Sequence, residues 1–285
     1  MNKVMVALIT PFTEDNKVDY RALDHLITRL LKEGCDGFIV CGTTAETPSL
    51  NKHERFTILR HVIKKTRKRA EIWFGCGTND TQTTLQNVLE AEKEDISGVL
   101  IVTPYYNRPS QEGIYQHYHY LAQHSHCPIM IYNIPSRTGV EIQMDTLRRL
   151  LKEHPQIQAL KHASHDLNGI AQLKKDYPDF AIYSGEDGYF DEGIQEGMDG
   201  LISVMGHVFL PQIKAFLSDE RRDHHLFNQL KEAAAYTFLE PSPAPIKYLL
   251  MLRGECLNIL RLPMTPLSPA GIHKIETWLT NNDSN

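Results

Sequence analysis

The sequence predicts an α/β protein, a (β/α)8 TIM barrel followed by a C-terminal helical appendage. Short apolar, β-rich runs recur eight times, each followed by a segment of helical period, at the spacing of roughly 25–30 residues such a barrel uses. The runs are continuous rather than alternating, as parallel strands covered on both faces require. An open doubly wound sheet would need a switch point, and no GxGxxG or GxxxxGKS/T loop supports one.

The first strand is "VMVALI" (4–9), followed by "YRALDHLITRLLKEG" (20–34), in which Leu23, Leu26, Ile27, Leu30 and Leu31 fall on one helical face. The second is "GFIV" (37–40), followed by "HERFTILRHVIKK" (53–65). The basic run "KKTRKR" (64–69) closes that helix, where cations suit the macrodipole. "IWFG" (72–75), "GVLIV" (98–102), "IMIY" (129–132), "IQALK" (157–161), "FAIYS" (180–184) and "GLISV" (200–204) complete the eight. The count ends near residue 218, so residues 1–218 form the expected barrel and 219–285 a helical region packed on it. Three further helices are expected there, in "HLFNQLKEAAAYTFLE", "SPAPIKYLLMLRG" and "LSPAGIHKIETWL", with Pro241, Pro243 and Pro245 stiffening the link between the first two.

The 285 residues, 41% of them hydrophobic, suffice for a sizeable core, and a net charge of -5 argues against nucleic acid as a partner. Five scattered cysteines without CxxC spacing fit reduced thiols in a cytosolic protein, with no disulfide framework and no zinc site. Cys41 and Cys76 follow apolar runs and read as small core residues. The N-terminal apolar stretch is too short for a signal peptide or membrane span, so a soluble, cytoplasmic protein without membrane contact is expected.

A TIM barrel carries its chemistry at the C-terminal ends of the strands. Those positions hold Thr10 and Pro11, "GTTAE" (42–46), Gly77 and Asn79, "TPYYN" (103–107), "YNIPSRTG" (132–139), Lys161, "SGED" (184–187) and Ser203. Lys161 is the lysine of this set that directly terminates an apolar strand. Only a neutral amine attacks a carbonyl, and burial lowers a lysine's pKa, so Lys161 suits a Schiff base; the alternative is a lysine that snorkels out of the rim. Tyr132 ends the preceding strand, where its hydroxyl can move protons beside that amine. Thr43 and Thr44 lie in a loop whose backbone N–H groups can hold a carboxylate.

"GTTAE", "TPYYNRPSQEG", "YNIPSRTG", "ALKHAS", "SGED", "LISV", "EPSPAPIKYLL" and "RLPMTPLS" occur in the order and spacing of the dihydrodipicolinate synthase (4-hydroxy-tetrahydrodipicolinate synthase) family, within the N-acetylneuraminate lyase superfamily. The resemblance covers essentially the whole chain. It implies a cofactor-free lyase, with no metal, that condenses pyruvate with L-aspartate 4-semialdehyde in diaminopimelate and lysine biosynthesis. By motif match, Lys161 resembles the lysine that captures pyruvate as an imine, and Tyr132 the tyrosine that shuttles protons. Thr43 and Tyr106 would complete the relay, with Tyr106 reaching across from a neighbouring subunit, so a homodimer or homotetramer is implied. Thr44 resembles part of the pyruvate carboxylate site, and Gly185 and Ile202 match positions whose backbone lines the pocket. Arg137 matches the arginine that binds the acceptor's carboxylate, a task suited to a planar guanidinium.

The sequence departs from the family pattern in places. Ala45 stands where many synthases carry glycine, and "KHASHD" replaces the commoner "KEATGD". His162 and His165 are therefore expected to be peripheral, with His162 pointing opposite to Lys161 on an extended strand. Asn79 and Tyr105 match the lysine-effector site of inhibited members, whereas Lys52, Arg55 and Thr83 occupy positions where those members carry histidines and a glutamate. Added cations and a lost carboxylate disfavour a cationic ligand, so weak or absent lysine feedback is expected at a vestigial site. Two alternatives stay open on the residues alone: another pyruvate aldolase, cleaving N-acetylneuraminate or a 2-keto-3-deoxy sugar acid, and a non-catalytic barrel that binds a keto acid.

Overall fold

In the computed structural model, which describes residues 2–219 and 223–282, eight parallel strands close into a barrel in sequence order, the first pairing with the last. The first half comprises β1 (Lys3–Ala7), α1 (Tyr20–Lys32), β2 (Gly37–Val40), α2 (Lys52–Thr66), β3 (Glu71–Gly75), α3 (Thr81–Ala91), β4 (Gly98–Val102) and α4 (Gln111–His124). After β5 (Ile129–Asn133) come a one-turn helix α5 (Pro135–Thr138) and α6 (Met144–Glu153). The barrel finishes with β6 (Ile157–His162), α7 (Ile170–Asp176), β7 (Ala181–Ser184), α8 (Phe190–Gln195), β8 (Gly200–Ser203) and α9 (Gly206–Ser218). Helices α10 (His224–Thr237), α11 (Ala244–Leu252) and α12 (Pro269–Asn282) follow.

The continuous apolar runs become strands buried on both faces: every residue of β2 and β5 is buried, as is all of β6 except Gln158. That is the condition under which a parallel sheet persists, with side chains filling the barrel inside and helices covering it outside. Helix starts follow the local chemistry. Asp19, Asp80 and Ser110 each accept from a first-turn backbone N–H of α1, α3 and α4, and Asn51 forms a capping box with Glu54 at α2. The predicted stripe of α1 is buried at Leu23, Leu26, Ile27 and Leu30. α11 packs against both α9 and α10, and Trp278 of α12 stacks on Tyr236 of α10, so the tail is tied to the barrel. Among the described residues no helix is long and apolar enough to cross a membrane.

Candidate active site

Closure of the sheet sets Lys161 between two tyrosines, opposite Tyr132 on β5 and Tyr183 on β7. Lys161 is 6% exposed. Its Nζ lies 4.4 Å from the centre of the Tyr132 ring. Gly185, just after β7, permits this placement: a Cβ there would stand 2.9 Å from Lys161 Cε and 2.8 Å from Ala163 Cβ. The Gly185 N–H donates to His162 O, which fixes the turn against β6.

The loop after β2 winds into two 3-10 turns, Thr43–Ala45 and Thr47–Ser49. Thr43 and Thr44 open the first turn, so their N–H groups have no partner within it and are available to an anion. The turn is pinned from several sides. Thr10 Oγ1 donates to Ala45 O and Thr47 Oγ1 to Gly42 O. Glu46 ends the turn at φ 55°, a left-handed conformation unusual for a non-glycine residue. Its buried carboxylate accepts from Lys247 Nζ of α11 and from the Arg261 N–H.

Arg137 stands on α5, which Gly139 terminates at φ 73°. Asn133 holds the loop beyond it: its Oδ1 accepts from the Ile142 N–H, and its Nδ2 donates to Glu141 Oε1. Arg137 is exposed and makes none of the ion pairs found among the described residues. A cavity of about 490 Å³ opens at this end of the barrel, and Thr43, Tyr105, Tyr132 and Arg137 all line it. A larger hollow of about 740 Å³, bounded by Asp19, His25, Met251 and Cys256, lies away from these residues.

Two acidic residues beside Lys161 carried no assigned role in the sequence, although "SGED" contains them. Asp187 is buried, accepting from Ser203 Oγ and from the Val204 and Met205 N–H groups; burial pushes its carboxyl up, against those hydrogen bonds and the Lys161 charge. It thereby fixes the backbone after Ile202, which is itself buried on β8. Burial also raises the Glu186 carboxyl, opposed by the charges of His165, Lys161 and Arg137.

The histidines separate. His165 is exposed and packs on the Tyr189 ring, centroids 4.2 Å apart. His162 is buried rather than peripheral. Alternate residues of a barrel strand point into the layer between sheet and helices, which excludes water as fully as the interior does. There its Nε2 lies 2.8 Å from Asp166 O and its Nδ1 3.4 Å from Asn133 Nδ2, and desolvation pulls it below the ordinary histidine range. It is a neutral structural group. Cys41 and Cys76 are buried, and desolvation pushes the Cys41 thiol up to about 12.

Tyr106 is not brought to Lys161 within the chain: it is 88% exposed, at φ 71°. Of the expected effector residues, Arg55 and Tyr105 line the same cavity of about 490 Å³. Lys52 pairs with Glu90, Arg55 Nη2 donates to Gly75 O, and Asn79 O accepts from Asn107 Nδ2.

The model of the "Dihydrodipicolinate synthetase family" matches residues 1–282. A 4-hydroxy-tetrahydrodipicolinate synthase from Hydrogenobaculum sp. is 36% identical over 96% of this chain and 96% of its own. One from Bacillus subtilis is 36% identical, covering 93% of each chain. The crystal structure of dihydrodipicolinate synthase from Aquifex aeolicus superposes with a TM-score of 0.94 at 34% identity, covering 99% of this chain and 98% of that one.

Proposed function

Because the chain belongs to the dihydrodipicolinate synthetase family, we propose that it works as its curated relatives are named, as a 4-hydroxy-tetrahydrodipicolinate synthase, with the chemistry on Lys161. The activity is that of a lyase condensing pyruvate with L-aspartate 4-semialdehyde, on the route to diaminopimelate and lysine. The observation that carries the assignment of roles is the register of β5 on β6, which puts the Tyr132 ring against the Lys161 amine.

Pyruvate enters with its carboxylate toward the N–H groups of Thr43 and Thr44. The neutral Lys161 amine attacks the ketone carbon, and the oxygen takes up a proton to give a carbinolamine. Loss of that hydroxyl as water leaves a protonated imine. Removal of a methyl proton makes the enamine, whose carbon bonds to the aldehyde carbon of the acceptor as the aldehyde oxygen is protonated; the acceptor's own amine then attacks the regenerated imine carbon, closing the ring and expelling the Lys161 amine. Each step moves protons on or off oxygen, carbon or nitrogen, the work of a phenol held beside the amine with Thr43 behind it. Arg137, without a carboxylate of its own, is the group for the acceptor's carboxylate.

Tyr106 completes the relay from a second copy of the chain, so the active unit is at least a homodimer; its exposure on a single chain supports this reading. The tail of residues 219–285 is a support for the barrel of 1–218, and the cytoplasm is the expected compartment. Reduction with borohydride in the presence of pyruvate is expected to add mass at Lys161, and an adduct on another lysine, or none, would sink the mechanism. Arg137→Ala is expected to lower kcat/KM for aspartate semialdehyde by at least about tenfold while imine trapping with pyruvate persists. Faster turnover of sugar acids than of aspartate semialdehyde would instead favour the sugar-acid lyases.

A further inference from the structure

Four potential metal-ligating atoms converge on one point at the outside of the barrel, remote in the fold from Lys161. His119 lies in the last half of α4, Glu153 ends α6, and His154 caps it. Their ligand atoms all lie within 4.8 Å of one another. His119 Nδ1 is 2.8 Å from His154 Nε2, 3.0 Å from Tyr115 Oη and 3.6 Å from Glu153 Oε2. The cluster stands beside the N-terminal end of β6, whereas Lys161 lies near that strand's C-terminal end.

Hydrogen bonding serves this arrangement only by sharing a proton or by setting two lone pairs face to face. Tyr115 donates its single proton to Glu153 Oε2 at 2.5 Å. His119 Nδ1 carries either one N–H or one lone pair. If it is the donor, one proton serves both the Tyr115 oxygen and His154 Nε2. If it is the acceptor, the Tyr115 oxygen faces it with no proton to give. Two imidazole nitrogens, a carboxylate oxygen and a phenol oxygen therefore crowd a space that a cation would resolve.

We propose that His119, Glu153 and His154 bind one divalent ion of the zinc class, which clips the C-terminal end of α6 to α4. Two imidazoles and one carboxylate suit Zn2+ or Co2+, whereas Mg2+ and Ca2+ require all-oxygen shells. Bonds of about 2.0–2.1 Å in a tetrahedron set ligands roughly 3.4 Å apart. The two imidazole nitrogens must open by about half an ångström to reach that spacing; the His119–Glu153 separation of 3.6 Å is already near it, and His154 and Glu153 lie within 4.8 Å of each other. Water or Tyr115 takes the fourth position. The C-terminal end of α6 favours a cation through its dipole. Arg149 is the nearby competitor: its Nη1 lies 2.6 Å from Glu112 Oε2, its Nε 3.9 Å from Glu153 Oε1, and its guanidinium stacks 3.3 Å from the centre of the Tyr115 ring, so the ion must share Glu153 with it. Sequence spacing does not reveal the site, because its ligands come from two helices. At the end of the barrel away from the chemistry, such an ion supports stability rather than turnover.

The test is titration of the chelator-treated full chain with Zn2+ by calorimetry and with Co2+ by visible absorbance. One ion per chain is expected, with the intense d–d bands of four-coordinate cobalt. The thermal midpoint should rise by about 5 °C at a hundredfold excess of free ion over Kd. His119→Ala and Glu153→Gln, both on partly exposed side chains, should weaken binding by at least the roughly tenfold that even outer-sphere partners are worth. His154 is buried, so its replacement is not needed for the test. Absence of saturable binding to the wild type, or undiminished affinity in the His119→Ala and Glu153→Gln variants, overturns the site.

Discussion

Replacing Lys247 by methionine tests how the loop after β2 is held. Lys247 and Glu46 side chains are 0% and 1% exposed, so water cannot take over from either. Lys247 Nζ donates to Glu46 Oε1 and Ile259 O, and it sits 4.3 Å from the centre of the Phe12 ring. Without the ammonium, the Glu46 carboxylate keeps one neutral donor, the Arg261 N–H at 2.9 Å. Breaking a buried pair in this way costs about 3–5 kcal/mol, a large part of the roughly 5–15 kcal/mol that holds a domain together. At about 2–4 °C per kcal/mol for a chain of this size, the thermal midpoint should fall by roughly 6–20 °C. Glu46 also ends the Thr43–Ala45 turn. Loosening it should therefore cut kcat/KM by about tenfold or more well below the midpoint, since misplacement by an ångström is worth that much. The double variant Glu46→Leu, Lys247→Met buries no charge and should recover most of the stability without recovering the activity. Urea midpoints and steady-state rates on the three proteins decide the matter. A loss under about 1 kcal/mol in Lys247→Met, or a double variant as unstable as the single, would refute the reasoning.

Gly185→Ala should lower both stability and kcat, the latter by at least about tenfold, because the added methyl meets Ala163 Cβ as well as Lys161 Cε; unchanged kcat would show that the lysine tolerates displacement. His207 is buried and neutral, accepting from the Ile9 N–H and donating to Val204 O, and burial pulls it down to about 4. Its folded pKa lies below its unfolded value, so the unfolded chain binds more protons between about pH 6.5 and 4, and stability must fall as pH falls through that window. The share from His207 at pH 5 is about 2 kcal/mol, so urea midpoints at pH 7 and 5 should differ less in His207→Gln; equal slopes refute the assignment. If Lys52 and Arg55 stand at the effector positions the family resemblance implies, L-lysine should inhibit weakly or not at all; inhibition at sub-millimolar concentration contradicts this. If Tyr106 acts in trans, Tyr106→Phe should lower kcat without moving the thermal midpoint, and wild-type activity per chain should fall on dilution below the dimer's Kd; a dilution-independent rate removes the trans role.

The barrel was legible because parallel strands covered on both faces leave continuous apolar runs, and all eight runs became strands with shifts of at most two residues at their ends. Lys161 and Tyr132 were legible for the same reason: each stands near the end of such a run, and strand order makes them neighbours. The supports of the site were not. Glu46 and Lys247 stand 201 residues apart, and no local pattern joins a loop carboxylate to a lysine inside an apolar helix. His162 was misread because strand alternation distinguishes two faces but does not say that both are dry. The one-turn helices at Thr43–Ala45 and Pro135–Thr138 are too short for periodicity to show.

Backbone strain marks where those supports are needed. Seven non-glycine residues among those described have positive φ. Cys41, Glu46, Tyr106 and Arg108, four of the seven, lie on the loops after β2 and β4, at the mouth that holds the proposed chemistry. Each such residue costs of order 1–3 kcal/mol unless its surroundings over-determine it. The surroundings here are remote in sequence: Lys247 and Arg261 hold Glu46, the Asn107 side chain reaches Asn79 O beside Tyr106, and Arg108 Nε donates to Gly139 O. Residues 244–261 therefore do more than cover the barrel. α11 and the segment after it supply two of the contacts that hold the strained loop of Thr43 and Thr44, beside those of Thr10 and Thr47, which makes the C-terminal region part of the support of the proposed active site.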